Sequence, residues 1–189
     1  MADVDVKNFN PYMAIIGPHS ESVDYSKLKS SKVSAMMFNA GSMYSASHKK
    51  NTHYKNPYLS KQIKKCMKVN LPYALYAIIR AHDITEADAE CRALYYILAE
   101  YTPKLGIWLY LDTNQNVETN NAIIDVYYRY IRSWGFTDRC GIYTKISDLS
   151  KFSWDEFQED FYLLGIDTSI SLSKVEGQLL DPSMFEVKQ

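Results

Sequence analysis

The sequence predicts an α/β protein built on a parallel sheet, and two features predict it. Short apolar runs alternate with amphipathic helical stretches along the 189 residues, and compact connections join them. The runs are continuously apolar, which is typical of parallel strands covered on both faces. A closed barrel and an open doubly wound sheet both satisfy this pattern. The sequence has no GxGxxG or Walker glycine loop, which weakens the case for a nucleotide-binding open sheet.

Five apolar runs are predicted as strands. The first, YMAII at residues 12–16, lies between Pro11 and the pair Gly17-Pro18, which are turn-forming residues. The polar segment at residues 45–57 is predicted as a long loop. The other four predicted strands share the apolar character of the first and are residues 33–39, 72–79, 107–112 and 140–144.

Three amphipathic helices are predicted between the strands. The first covers residues 58–69, with Asn70 as its stop signal. The second begins after an N-cap at Thr85. The third starts near residue 119 and runs to 134, with Gly135 as its C-cap. Helices of this kind, placed between buried strands, indicate β/α units.

A lysine cluster lies on the polar face of the first helix. It is interpreted as a solvated helix face rather than a phosphate-binding stripe, because no aromatic residues interleave with it. The cluster consists of Lys61, Lys64, Lys65 and Lys68.

Charge and hydropathy argue against several kinds of partner. The net charge of -1 gives no global field that attracts nucleic acid or acidic lipid. No apolar run approaches the ~20 residues of a membrane span, and the first ten residues lack the apolar core of a signal peptide. The sequence therefore predicts no nucleic-acid partner, no membrane partner and no signal peptide.

The cysteines and histidines predict no metal site and no cofactor. Cys66, Cys91 and Cys140 are odd in number and lack CxxC spacing, so they are interpreted as buried thiols made in a reducing cytosol. No HExxH or comparable ligand spacing occurs.

Candidate functional residues stand where the predicted strands end, since sites of parallel α/β proteins gather there. In GIWLYLDTNQN, residues 106–116, Asp112 closes an apolar run. A carboxylate there is either functional or a cap for the following loop. His19 and His82 are candidate bases, although no nucleophile-elbow motif accompanies them.

Several segments, in order, resemble glycoside hydrolase family 25, the lysozyme-like muramidases common in phages. GIWLYLDTN resembles the strand that ends in the family's D-x-E motif, and CGIYT matches its G-I-Y-T. VEGQLLDPSMFEV resembles the family's terminal V-x-G-x-x-x-D-L-N-x-F segment. The resemblance covers nearly the whole chain, through residues 22–41, 54–78, 82–98, 106–114, 140–144 and 175–187.

The resemblance implies an irregular (β/α) TIM-like barrel with five β/α units followed by short strands. It implies a single domain over residues 1–189, with residues 1–11 as an N-terminal extension. Asp112 and Asp181 then lie at one mouth as the family's carboxylates. A substrate groove is expected beside them, formed by Tyr76, Tyr143 and Asn39. Trp108 is a further aromatic candidate, for which core packing is favoured.

Two family carboxylates are missing. The glutamate of D-x-E, the proposed general acid, is replaced by Asn114, which has no titratable proton. The first-strand aspartate position falls on Ile15, and Asp5 replaces it only if its own segment is the first strand. The catalytic pair, Asp112 and Asp181, is therefore interpreted as vestigial.

The leading hypothesis is a catalytically degenerate barrel in a phage tail or related tail-like particle. Its expected partners are peptidoglycan glycan strands and other phage structural proteins. Its expected location is the virion, in the tail or baseplate, or the host cytoplasm before lysis. The alternative is an active N-acetylmuramidase, an endolysin or tail lysin, with Asp112, Asp83 or Glu86 as a non-standard acid. A third hypothesis is an unrelated α/β protein.

Overall fold

The computed structural model describes an α/β protein whose sheet contains eight strands. The described residues are 12–17, 23–31, 33–42, 54–112, 115–136, 140–157, 162–166 and 177–180. The strands are β1 (Tyr12–Ile16), β2 (Val33–Ser42), β3 (Tyr54–Lys55), β4 (Tyr73–Ile79), β5 (Ile107–Leu111), β6 (Cys140–Lys145), β7 (Tyr162–Ile166) and β8 (Gly177–Leu180).

The strand order is β7-β6-β5-β4-β2-β1-β8, with β3 paired to β2. Every pair from β1 to β7 along this path is parallel, whereas β8 and β3 are antiparallel to their neighbours. The five predicted strands correspond to β1, β2, β4, β5 and β6. The predicted loop over residues 45–57 is wrong at Tyr54–Lys55, which form β3, and residues 45–53 lie outside the described part.

Each of the five predicted strands is followed by helical structure. The helices are α1 (Tyr25–Ser30), α2 (Leu59–Lys68), α3 (Ile84–Leu98), α4 (Val117–Ser133) and α5 (Trp154–Phe157), with a 3₁₀ helix (Ile146–Lys151) before α5. The chain thus forms five β/α units and then the short strands β7 and β8. This confirms the predicted irregular (β/α) barrel. The proposed N-terminal extension at residues 1–11 lies outside the described part.

The two faces of the sheet build two separate hydrophobic clusters, because successive strand residues point in opposite directions. The outer face packs against the helices and forms the larger core. The inner-face cluster contains Met13, Ile15, Ala35, Met37, Ala74, Tyr76, Trp108 and Tyr143.

Trp108 belongs to this inner cluster. It is buried, and its Nε1 donates to the carbonyl oxygen of Leu105 at 3.0 Å. The expectation that Trp108 serves core packing is therefore confirmed.

The start of α3 differs from the prediction. Thr85 was predicted as the N-cap, but the N-cap is Asp83, whose Oδ1 accepts from the backbone N–H groups of Thr85 and Glu86. The Asp83 carboxylate, two residues earlier, reaches these N–H groups. Its negative charge also interacts favourably with the positive end of the helix dipole. Likewise α4 begins at Val117 rather than near residue 119, after the N-cap Asn116.

The predicted helix stops are confirmed. Asn70 and Gly135 have φ values of 54° and 83°, in the left-handed region that ends helices. A Cβ on Gly135 meets no atom within 4 Å, so only its backbone conformation favours glycine there.

Cys66, Cys91 and Cys140 are buried and unbridged, as the buried-thiol interpretation expects. Burial raises the pKa of the Cys66 thiol to about 12 and raises that of Cys91 further. Within the described ranges, no group of three or more potential ligand side chains could hold a metal ion. The described helices also include none with the length and apolar character needed to cross a membrane.

Candidate functional site

The carboxyl ends of β4 and β5 carry an ion pair. The two strands run parallel with Ile79 opposite Leu111, so the residues that follow are neighbours. Arg80 Nε donates to Asp112 Oδ2 at 3.0 Å. The backbone N–H of Asp112 also donates to the carbonyl oxygen of Ile79 at 2.9 Å, which fixes the start of the loop. Asp112 is therefore held at the rim by contacts with the neighbouring strand.

The exposure of this pair bears on the hypothesis that Asp112 acts as a general acid. That hypothesis needs burial, which favours the neutral form of a carboxyl group. The side chain of Asp112 is 49% exposed and that of Arg80 is 40% exposed. The required burial is absent, and the partner is a permanent cation. Asp112 therefore lacks the buried environment on which this hypothesis depends.

Below the ion pair, three tyrosines meet on the inner face. The rings of Tyr76 and Tyr143 are 5.5 Å apart at 72°, and those of Tyr110 and Tyr143 are 5.0 Å apart at 42°. These tilted and edge contacts are ones that aromatic quadrupoles favour. Burial raises the pKa of Tyr76 to about 12 and that of Tyr143 further. Their hydroxyls are therefore neutral at physiological pH and can both donate and accept.

Tyr110 connects this cluster to two carboxylates. Burial is the largest cause of its raised pKa, followed by the negative charges of Asp112 and Asp148. Asp148 lies in the 3₁₀ helix after β6 and pairs with Lys151 at 3.4 Å. Tyr110 and Asp148 were not among the site residues predicted from the sequence. The signal for Tyr110 was its position two residues before Asp112, which places both on one face of the strand.

Asn39 contributes an amide without a partner. It is 1% exposed, and its position in β2 is in register with Tyr76 in β4. Its backbone carbonyl accepts from Asn56 Nδ2, but among the described residues neither side-chain amide atom has a hydrogen-bond partner. The Tyr76 hydroxyl faces this amide, which opposes the rise in its pKa, but the two do not meet in hydrogen-bond geometry. A buried amide in this condition is costly to the fold and available to a ligand.

The first strand presents an alkyl side chain to this face. Ile15 is 5% exposed, lies in the inner-face cluster and is in register with Met37. Asp181, Asn114 and His19 lie outside the described residues. Of the predicted site residues, the structure therefore brings Tyr76, Tyr143 and Asn39 to the inner face, and it places Asp112 at the rim.

The two replacement acids of the alternative hypothesis are both engaged at the start of α3. Asp83 accepts the capping hydrogen bonds. Glu86 Oε2 accepts from the backbone N–H of His82 at 2.8 Å and lies 2.9 Å from its Nδ1. These contacts give Asp83, Glu86 and His82 local structural roles.

Behind the rim, Glu90 lies fully buried on α3. Its Oε2 accepts from the Tyr127 hydroxyl at 2.5 Å and from the backbone N–H of Arg80 at 3.4 Å. Burial is the main cause that raises its pKa to about 7, against the lowering effect of these hydrogen bonds. The sequence analysis missed Glu90. Its position three residues after Ala87 and four before Leu94 places it on the apolar stripe of the helix.

Solved structures share this fold. The CTP1L endolysin superposes with a TM-score of 0.70 at 14% identity, covering 85% of this chain and 54% of that chain. A family GH25 lysozyme from Aspergillus fumigatus gives 0.67 at 14% identity, covering 88% and 81%. The autolysin LytC from Streptococcus pneumoniae, in complex with a synthetic peptidoglycan ligand, gives 0.63 at 16% identity, covering 75% and 34%.

The chain therefore has the fold of the glycoside hydrolase family 25 lysozymes, as the sequence resemblance implies. It spans about a third of the LytC chain, at 34%, and about half of the CTP1L chain, at 54%. No sequence model of a protein family matches the chain, and no curated protein matches it.

Proposed function

We propose that this chain is a catalytically degenerate muramidase-like barrel that binds the glycan strands of peptidoglycan. It serves as a structural or cell-wall-binding component of a phage tail or related tail-like particle. The observation that carries the proposal is the state of Asp112, a half-exposed carboxylate paired with Arg80. Among the described residues, the inner face carries the candidate binding residues, and Asp112 at the rim lacks the burial expected of a general acid.

The chemistry of glycoside hydrolysis supports the loss of activity. Glycosidases of this kind need one carboxylic acid that protonates the leaving oxygen and a second carboxylate as base or nucleophile. The amide of Asn114, at the acid position of the D-x-E motif, has no proton to give. On the first strand, Ile15 stands where the family has an aspartate.

The inner face retains groups suited to binding a sugar. The unpartnered amide of Asn39 offers a donor and an acceptor. The neutral hydroxyls of Tyr76 and Tyr143 offer the same, on rings that are each 7% exposed. A solved structure of similar fold, LytC, holds a synthetic peptidoglycan ligand.

Cosedimentation with purified peptidoglycan tests binding. We expect the wild-type protein to pellet with the glycan and the Asn39→Leu variant to lose about tenfold in affinity, the loss of one or two hydrogen bonds. The control is Met37→Leu, on the same strand and the same face. Equal binding by wild type and Asn39→Leu would remove Asn39 from the binding site, and no binding by wild type would contradict the proposal.

A second candidate function is an active peptidoglycan hydrolase. One observation favours it: burial raises the pKa of Tyr110, and the negative charges of Asp112 and Asp148 both add to the rise. If this pair is catalytic, the wild type releases reducing ends from peptidoglycan, and both Asp112→Asn and Asp148→Asn abolish the release. If the barrel is degenerate, none of the three proteins releases any.

The location in a tail is the remaining part of the proposal. The endolysin among the proteins of similar fold supports a connection with phages, and the tail itself is proposed from the expected loss of activity. Immunogold labelling of particles from a lysate tests it, with label expected on the tail or baseplate. Label confined to the soluble fraction would favour an endolysin.

A further inference from the structure

The lysine cluster of α2 forms a charged surface that the proposed function does not use. At 100° per residue, Lys61, Lys64, Lys65 and Lys68 fall within an arc of about 100°. The opposite side of α2 is buried in the core through Leu59, Ile63 and Cys66. The four lysines therefore lie on the side of α2 away from the core, along about two helical turns, with Lys65 partly buried over the Tyr25 ring.

Among the described residues, no carboxylate forms an ion pair with these lysines. Neither α1 nor α2 contains an acidic residue. By contrast, Arg92 on α3 and Arg129 on α4 each pair with an aspartate four residues earlier. The protein carries a net charge of -1 and still concentrates like charges on one helix.

This arrangement is unfavourable for the isolated helix. Lys61 and Lys65, and likewise Lys64 and Lys68, are four residues apart, where like charges destabilise a helix. Further lysines lie beside them on α1, since Lys29 Nζ donates to the carbonyl oxygen of Val69 at the end of α2. The repulsion is relieved when an anion binds.

The side chains around the lysines restrict the class of anion that this surface could bind. The exposed arc carries no aromatic ring on which bases could stack, and the Tyr25 ring under Lys65 is buried. Nucleic acid is therefore disfavoured. A membrane-surface helix exposes apolar side chains beside its charges, whereas on α2 only Met67 is an exposed large hydrophobic residue, at 59%.

We propose that the lysine face of α2 binds a phosphodiester-linked anionic polymer attached to the bacterial cell wall. Flexible lysine ammonium groups contact phosphates as point charges and need no fixed geometry. The inference rests on the proposed function, since it gives the glycan-binding barrel a second contact with the same wall. This contact is electrostatic and spread over several phosphates.

The test uses the full chain and poly(glycerol phosphate) as a soluble probe. We expect the affinity to fall as the salt concentration rises. A plot of log affinity against log salt concentration should have a slope of about -0.7 for each phosphate contacted. Lys64→Gln with Lys68→Gln should weaken binding about tenfold and reduce that slope. Arg92→Gln with Arg129→Gln changes the net charge equally and should leave the affinity within about twofold. Equal weakening by both pairs, or by neither, would overturn the assignment.

Two further experiments are needed. The first compares other phosphate-containing ligands, and the second separates polymer binding from glycan binding. Single-stranded DNA and vesicles with anionic phospholipid should bind more weakly than the polymer, and tighter binding of either would overturn the assignment. Pelleting with walls before and after chemical removal of the polymer separates the sites. The inference is supported if removal of the polymer lowers wild-type binding to the level of the lysine variant. If removal of the polymer changes the binding of neither the wild type nor the lysine variant, the inference is wrong. Glycan binding is then unaffected by that result.

Discussion

Arg80 and Asp112 neutralise one another across adjacent strands at 3.0 Å, half in solvent. Exposed pairs of this kind contribute little to stability, typically under about 1 kcal/mol. The main consequence of the pair is that the Asp112 carboxylate has a guanidinium as its partner.

The buried amide of Asn39 predicts that one substitution raises stability and weakens glycan binding. Replacing it with leucine, of similar size, removes a buried amide that makes no side-chain hydrogen bond to the described residues. We expect Asn39→Leu to raise the free energy of unfolding by about 1 kcal/mol. Urea denaturation measures this change. A fall in stability would show that the amide is satisfied in the protein and is not reserved for a ligand.

Glu90 predicts a pH dependence of stability. Its pKa is about 7 in the fold against 4.5 for the free side chain, so between these values the folded state binds more protons than the unfolded state. Stability from this group is therefore full below pH 4.5 and is lost as the pH rises through 7. The loss is about 3 kcal/mol by linkage.

The comparison with Glu90→Gln isolates this effect. The variant keeps an acceptor for the Tyr127 hydroxyl and cannot ionise. Denaturation at pH 5 to 8 should show wild-type stability declining relative to the variant as the pH rises. A difference between the two proteins that stays constant over this range would contradict the role assigned to Glu90.

The sequence could not predict these residue-scale contacts. Asp112 was visible as a polar residue after an apolar run, but its pairing with Arg80 depends on the register of β4 and β5. The burial of Glu90 depends on α4, which brings Tyr127 against it. Such contacts join segments that are far apart in sequence, and local patterns carry no information about them.

At the scale of elements, the sequence predicted well where burial dictates the pattern. The five strands of the β/α units are continuously apolar because both faces are covered. β3 was missed because it has only two residues, Tyr54–Lys55, and exists through its pairing with β2. The N-cap of α3 was misplaced at Thr85 because several capping residues lie close together, and the structure chooses Asp83.

The N-cap of α3 can be tested directly. Asp83 accepts from two backbone N–H groups, at 2.8 and 2.9 Å. We expect Asp83→Ala to lower the free energy of unfolding by about 1 kcal/mol. Asp125→Ala is the control, because Asp125 lies within α4 and makes an exposed ion pair worth about 0.5 kcal/mol or less. Equal losses in the two variants would argue against a capping contribution at Asp83.

At the scale of the whole molecule, the fold is that of the family 25 lysozymes, and the loss of their chemistry is our proposal. The family 25 lysozyme fold is retained through five β/α units, with a packed inner face of aromatic and apolar residues. The predicted tyrosines and Asn39 lie on that face, and their role in a binding site stays a prediction. Asp181 and Asn114 lie outside the described residues, so their roles stay predictions. A fold alone does not specify activity.

The central claim is that the barrel binds glycan and does not cleave it. The most direct test is the release of reducing ends from peptidoglycan of several Gram-positive bacteria, with an active family 25 muramidase and the Asp112→Asn variant alongside. The account predicts that the wild-type protein pellets with the glycan and releases no more reducing ends than buffer, while the muramidase is active. Release by the wild type that disappears in Asp112→Asn would contradict it, and would show a working hydrolase with an unconventional acid.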